Sequence, residues 1–266
     1  MELKLWECNF PGADPVCGEH VPSISLYLLD SQIIRPVIVV YQGGGYGARA
    51  GHEGEPIARW LNSIGVSAVI CSYRVKPYKH PWPSVDARRA IRLVRFNAEK
   101  WNIDPARIGV IGFSAGGHLA ATVSTIFEDD YTPEVPDDID KISARPDFSV
   151  LCYPVISFSE YRHSGSMRNL LGENPDENLV QKYSLEKRVT AETPPAFIWH
   201  TANDKSVPVE NSTLYANALS KYKIPHEYHI FVDGPHGIGI KEQYPSIVPA
   251  WKQLFSTWLK VMKFVE

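Results

Sequence analysis

The pentapeptide Gly112-Phe113-Ser114-Ala115-Gly116 constrains this chain more than any other stretch. It fits the Gly-x-Ser-x-Gly pattern of a strand–turn–helix elbow, a turn so sharp that side chains flanking the serine would clash. The neighbouring residues suit that geometry. Arg107-Ile108-Gly109-Val110-Ile111 reads as a short buried strand, and Gly117-His118-Leu119-Ala120-Ala121 as the start of a helix. Such an elbow lifts the serine hydroxyl above the sheet edge, with a helix N-terminus beneath it that favours developing negative charge. The competing reading is a serine that merely caps a helix after a glycine turn.

The rest of the chain supplies a setting for the elbow. Residues 2–7 and 23–30 read as antiparallel edge strands, and the β-branched run 36–41 as a strand covered on both faces. A helix over 54–64 with Ile57, Leu61 and Ile64 on one face precedes a second buried strand at 66–73. The proline-rich loop 77–83 leads to a long helix over about 84–100, with Ser84 as its N-cap, and the elbow strand and helix occupy 107–127. Further strands are predicted at 148–153, 196–202 and 226–232, with helices over about 209–222 and 245–262. Alternating strands and helices imply parallel pairing, hence an α/β fold: a doubly wound, mostly parallel sheet with helices on both faces. The stretch 155–195 is too long for a plain connection. It holds short helices near 166–171, ended by Gly172, and near 176–183, and reads as a partial cap over the strand tips. With no repeat and no low-complexity linker, 1–266 is expected to be one domain.

Composition narrows the function. A hydrophobic content of 44% can build a sizeable core, and a net charge of −3 carries no nucleic-acid footprint. Arg88, Arg89, Arg92 and Arg95 lie opposite an apolar stripe at 87, 91, 94, 98 and 101, which reads as a solvated helix face. The polar stretch 128–146 reads as an exposed loop; its Asp137, Asp138 and Asp140 lack the glycine and spacing of a calcium loop. Cys71 and Cys152 sit in apolar strand-like runs as buried free thiols, and a Cys8–Cys17 disulfide has only sequence proximity behind it. The N-terminus lacks the pattern of a signal peptide, and no apolar run reaches a membrane span. A cytoplasmic location is expected unless a leader has been removed. No cluster of side chains has metal-ligand spacing.

A serine hydroxyl is a poor nucleophile and needs a base, and the base needs an orienting group. Strand 196–202 runs into Asn203-Asp204, and strand 226–232 into Asp233-Gly234-Pro235-His236-Gly237. Ser114, Asp204 and His236 therefore fall at carboxyl ends of parallel strands, where open α/β sheets bind ligands, and in the order Ser, Asp, His. Asp204 as a mere turn residue is the bland alternative; Asp233 suits turn structure and Glu210 lies in a helix. His118 is expected to pack against the sheet or a neighbouring loop, and His200 to be a satisfied core histidine. His52, His80 and His163 lie in loops that can line the site. Oxyanion donors are expected from the backbone N–H of Ala115 and from the loop Gln42-Gly43-Gly44-Gly45-Tyr46-Gly47, with Gly44 and Gly45 foremost. A phosphate loop would need the lysine and Ser/Thr that this stretch lacks.

Together, Tyr-Gln-Gly-Gly-Gly-Tyr, Gly-Phe-Ser-Ala-Gly-Gly-His-Leu-Ala, His-Thr-Ala-Asn-Asp-Lys-Ser-Val-Pro-Val and Gly-Pro-His-Gly resemble the α/β-hydrolase fold over roughly 36–260. Within it the chain is most similar to the bacterial acetyl-esterase branch near the hormone-sensitive-lipase group, which includes acetyl-xylan-esterase-like proteins. The resemblance implies Ser114 as nucleophile, His236 as base, Asp204 as its orienter, and Gly44, Gly45 and Ala115 as oxyanion donors. The lipase group has histidine where this chain has Gln42. The implied activity is hydrolysis of short-acyl esters, acetyl above all, on a carbohydrate alcohol, without cofactor or metal. The expected partner is a small-molecule ester, with neither nucleic acid nor membrane; the oligomeric state is open. Tyr46, Tyr78 and Trp82 lie in loops from which they can stack on a sugar, or else are core or surface aromatics. An arylformamidase-like amidase, a small peptidase with the same triad, and a non-catalytic binding protein of this fold are the alternatives.

Overall fold

The computed structural model describes residues 1–6, 10–13, 20–30, 32–127, 131, 133, 136–241 and 250–265. The Cys8–Cys17 pairing and residues 245–249 of the last predicted helix fall outside them.

Among the described residues eight strands form one sheet in the order β1-β2-β4-β3-β5-β6-β7-β8. They are β1 (Glu2–Lys4), β2 (Ser23–Tyr27), β3 (Arg35–Tyr41), β4 (Ser67–Ser72), β5 (Ile103–Phe113), β6 (Phe148–Cys152), β7 (Ala196–Thr201) and β8 (His226–Phe231). At one edge β2 pairs antiparallel with both β1 and β4; β4, β3, β5, β6, β7 and β8 pair in parallel. Parallel strands need crossovers, and α1 (Glu55–Ser63), α2 (Trp82–Phe96), α3 (Ala115–Thr125), α6 (Glu210–Lys221) and α7 (Trp251–Val261) lie against the two faces. Ala87, Ile91 and Val94 of α2 join Leu119 and Val123 of α3 and Tyr215 and Leu219 of α6 on one face. Ile57 and Leu61 of α1 join Trp251, Phe255 and Trp258 of α7 on the other. The segment between β6 and β7 carries α4 (Ser164–Leu171), which ends at Gly172, and α5 (Glu177–Lys182).

The strand order places the site. The chain leaves β3 toward β4 and returns past it to β5, so the connections part on either side of β3. The tips of β3 and β5 thus form a crevice of the kind in which open α/β sheets bind ligands. Tyr41 of β3 pairs with Gly112 of β5, so the glycine loop after β3 and the elbow after β5 emerge side by side.

Three expectations need correction. The helix expected from 84 begins at Trp82, and Pro81 rather than Ser84 holds the cap position. Pro83 suits a first turn that needs no N–H partner, and the Ser84 hydroxyl donates to the Pro81 carbonyl at 2.7 Å. The arginine face of α2 is not solvated: Arg88 and Arg89 are 1% and 3% exposed. Nor is the described part of the polar stretch, 136–146, simply exposed, for it covers that face. Arg89 donates to the Leu5 carbonyl (2.9 Å) and to carboxylate oxygens of Asp137 (2.7 Å) and Asp140 (2.9 Å). Arg92 donates to the Ile142 carbonyl and Arg95 to Asp147. Long cations can be buried where carbonyls and carboxylates meet every donor. The Asp137 carboxyl, hydrogen-bonded first of all by Arg89, is lowered to about 2.

Candidate active site

Ser114 joins β5 to α3 with φ 54° and ψ −118°, a backbone conformation that side-chain-bearing residues rarely adopt. The two elbow glycines are required by contact. A Cβ on Gly112 would lie 2.0 Å from the Gly116 carbonyl oxygen, and one on Gly116 would lie 2.1 Å from that of Tyr41. Backbone bonds lock the turn: Ser114 N–H donates to Cys152 (3.0 Å), and its carbonyl accepts from Val155 (3.0 Å).

The Ser114 hydroxyl donates to His236 Nε2 at 2.8 Å, and His236 Nδ1 donates to Asp204 Oδ2 at 2.6 Å. Three residues from three strand tips thus form one hydrogen-bonded chain. Asp204 Oδ1 accepts the N–H groups of Ser206 (2.8 Å) and Val207 (3.0 Å), which fixes its carboxylate plane. Burial by itself raises the Asp204 carboxyl. Hydrogen bonds from His200, His236 and the Val207 N–H outweigh it and hold the group well below the usual carboxylate range. His200 is buried and satisfied, accepting from Ser212 and donating to the Val207 carbonyl. It also lies 3.3 Å from Asp204 Oδ2, a contact that its position inside a strand did not disclose. Asp233 instead accepts a hydrogen bond from Asn203, in keeping with a turn role.

The glycine loop lies against the elbow. Gly44 and Gly45 have φ of 123° and 64°, and a Cβ on Gly44 would lie 2.3 Å from the Ala48 carbonyl oxygen. Among the described residues no protein acceptor takes the N–H groups of Gly44, Gly45 or Ala115, whereas Gly43 N–H donates to buried Glu53 at 2.8 Å. The Gln42 side chain donates to the Ala50 carbonyl and so braces the loop from within. From α4, Asn169 donates to the Gly45 carbonyl at 2.9 Å. His163 caps α4 through Nδ1, which accepts from Ser166, and its Cε1 would be 4.0 Å from a Cβ on Gly45. Burial, and then neighbouring His236, hold the His163 imidazole below its usual value.

Two of the three aromatic candidates, Tyr46 and Tyr78, are buried and offer no open ring face. Tyr46 is 1% exposed and its hydroxyl donates to His118 Nδ1 at 2.9 Å. Tyr78 and Trp82 pack on the Arg74 guanidinium, 5.3 and 4.7 Å from their ring centres, over the buried Arg74–Asp86 pair. Apolar rings and a buried cation satisfy one another there, with Tyr78 buried and Trp82 half-buried. His52 donates to the Gly237 carbonyl (2.8 Å), and His80 meets the Tyr183 hydroxyl. Among the described residues no group of three His, Cys, Asp or Glu side chains forms a metal-ligand set.

A strained serine at a strand-to-helix elbow, in a mostly parallel sheet, defines an α/β hydrolase. Residues 25–219 match the model of the BD-FAE family, and the chain belongs to that family. It is 41% identical to endo-1,4-beta-xylanase B of Butyrivibrio fibrisolvens over 89% of this chain and 38% of that protein. It is 34% identical to the acetylxylan esterase of Xylanibacter ruminicola over 84% of this chain and 42% of that one. The chain thus spans about two fifths of the length of these curated relatives. Among solved structures, the acetyl ester-xyloside bifunctional hydrolase from Caldicellulosiruptor lactoaceticus superposes with a TM-score of 0.95 at 50% identity, covering 100% of this chain and 97% of that one.

Proposed function

We propose that this chain is a serine esterase that removes short acyl groups, acetyl above all, from acetylated carbohydrate. The observation that carries the reading is the hydrogen-bonded chain from Asp204 through His236 to the strained Ser114 hydroxyl. In this reading Ser114 Oγ attacks the ester carbonyl carbon while His236 Nε2 takes its proton. The oxyanion is met by the N–H of Ala115 and those of Gly44 and Gly45, donors worth about 3–4 kcal/mol each. The tetrahedral species collapses, the sugar oxygen leaves with the proton from His236, and water, activated by the same imidazole, frees the acid. Asp204 keeps Nδ1 protonated and stabilises the imidazolium. The carbohydrate alcohol and the acetyl group are supported by the likeness to an acetylxylan esterase and to an acetyl ester-xyloside bifunctional hydrolase.

We read 155–195 as a partial cap on the same domain, supported by the α4 contacts with Gly45. Cytoplasmic residence stays part of this reading, supported only by the free buried thiols of Cys71 and Cys152. Among the described residues no helix is long and apolar enough to cross a membrane.

The test is release of p-nitrophenol from its acetate, and of acetate from acetylated xylo-oligosaccharides, by wild type and Ser114→Ala. The variant is expected to lose about 10⁴-fold or more in kcat, the scale seen when a triad nucleophile is removed. Equal rates would overturn the nucleophile, and activity on the aryl ester alone would overturn the carbohydrate assignment.

A further inference from the structure

Glu53 lies just ahead of α1 and is 2% exposed. A buried carboxylate is costly unless its oxygens are occupied by donors. Here both are filled, and not by a cation. Oε2 accepts the Gly43 N–H at 2.8 Å, and Oε1 accepts the Tyr153 hydroxyl at 2.6 Å. His52 comes within 3.7 Å of Oε1, but its Nε2–H donates to the Gly237 carbonyl at 2.8 Å.

Each of these partners belongs to a different part of the site. Gly43 opens the glycine loop, and a Cβ there would lie 2.7 Å from the Phe113 carbonyl oxygen and 3.1 Å from Ser114 Cβ, so this peptide is pressed against the elbow. Tyr153 follows β6 with φ 36°, and its hydroxyl accepts the Gly239 N–H at 2.9 Å, three residues beyond His236. Its ring meets the His236 ring edge-on, centroids 5.0 Å apart. Burial, and then the Glu53 carboxylate, push the Tyr153 phenol well above its ordinary value, so the hydroxyl remains a donor. One carboxylate thus ties the loop carrying the oxyanion donors to the loop carrying the base.

We propose that Glu53, acting through Tyr153, is the positioning residue that holds the glycine loop and the His236 loop in common register with Ser114. The proposal rests on the serine-esterase reading above. Acyl transfer needs the oxyanion donors and the imidazole to meet the same carbonyl, and displacements below an ångström weaken both. A carboxylate suits this place because both facing groups donate. A glutamine must turn its NH₂ toward one of them, against the Gly43 N–H or in place of the acceptor for Tyr153.

The experiment compares kcat and KM of wild type, Ser114→Ala, Glu53→Gln and Tyr153→Phe on p-nitrophenyl acetate, with folding checked by circular dichroism. Glu53→Gln is expected to lower kcat about tenfold with KM within twofold of wild type. Tyr153→Phe keeps the ring but loses both hydroxyl bonds, and is expected to lower kcat about fivefold at unchanged KM; it decides the matter if Glu53→Gln does not fold. A folded Glu53→Gln with kcat like wild type, however much its melting temperature falls, overturns the proposal, as does a rise in KM alone. A wild type without Ser114-dependent hydrolysis overturns the esterase reading, and this proposal with it. Ser114-dependent activity that is indifferent to Glu53 and Tyr153 overturns only the positioning role.

Discussion

Ser114 holds a conformation that costs about 1–3 kcal/mol, and its backbone bonds to Cys152 and Val155 keep it there. That strain serves the hydroxyl, which reaches His236 without any rearrangement. Asp204 matters in the same way: by accepting Nδ1–H it leaves Nε2 bare to face the serine. Asp204→Asn should therefore trap the wrong tautomer and lower kcat about 10⁴-fold, while Asp233→Asn, whose carboxylate is taken by Asn203, should stay within twofold. Steady-state hydrolysis of p-nitrophenyl acetate by the two variants checks this, and the reverse ranking would move the orienting role to Asp233. Ser114, Asp204 and His236 were legible because each ends a strand among turn residues, which is a local pattern. Glu53 was not, because its partner Tyr153 lies 100 positions away and nothing around either residue marks the other. Tyr46 stayed open between sugar stacking and the core for the converse reason: an aromatic in a glycine-rich loop looks available until the fold turns its hydroxyl onto His118.

At the scale of elements, the glycine loop is held from three sides: by the elbow, by Glu53 and by α4. The α4 contact is a single side-chain bond, Asn169 to the Gly45 carbonyl at 2.9 Å, and it fixes the peptide plane next to the expected oxyanion donors. A bond of this kind contributes about 1 kcal/mol net, equivalent to about fivefold in rate if spent on alignment. Asn169→Ala should accordingly lower kcat/KM about fivefold with little change in melting temperature, measured by ester hydrolysis alongside a thermal melt. An unchanged kcat/KM would show that α4 lies over the loop without steering it. The sequence patterns located both partners, the triple glycine and a short helix ending at Gly172, but carried no sign of their contact. The same limit explains the arginine face of α2. Helical periodicity identified which residues share that face, whereas what covers it depends on where 136–147 returns, and that stretch is polar enough to look solvated.

In the whole molecule α3, the glycine loop and the stretch between β6 and β7 meet at His118, buried in α3 below the elbow. Its Nδ1 accepts from Tyr46 of the glycine loop, its Nε2–H donates to the Tyr183 carbonyl at 2.9 Å, and Phe158 stacks on its ring at 4.3 Å. Protonation would set a donor against the Tyr46 hydroxyl and leave a charge in an apolar layer. Burial lowers the imidazole from 6.5 to about 4, with the Tyr183 carbonyl opposing only in part. The folded value is below the unfolded one, so between pH 6.5 and 4 the unfolded chain takes a proton that the folded chain refuses. Stability contributed by the neutral histidine is therefore complete above pH 6.5, falls as pH drops through that window, and stops falling below about 4, a total on the order of 3 kcal/mol. His118→Gln lacks the titrating group. It should be less stable than wild type at pH 7.5 because its hydrogen bonds are poorer, and the gap should close as pH approaches 4. Urea unfolding of both proteins across that range measures the gap directly, and a gap that stays constant would mean that His118 does not carry this part of the acid sensitivity.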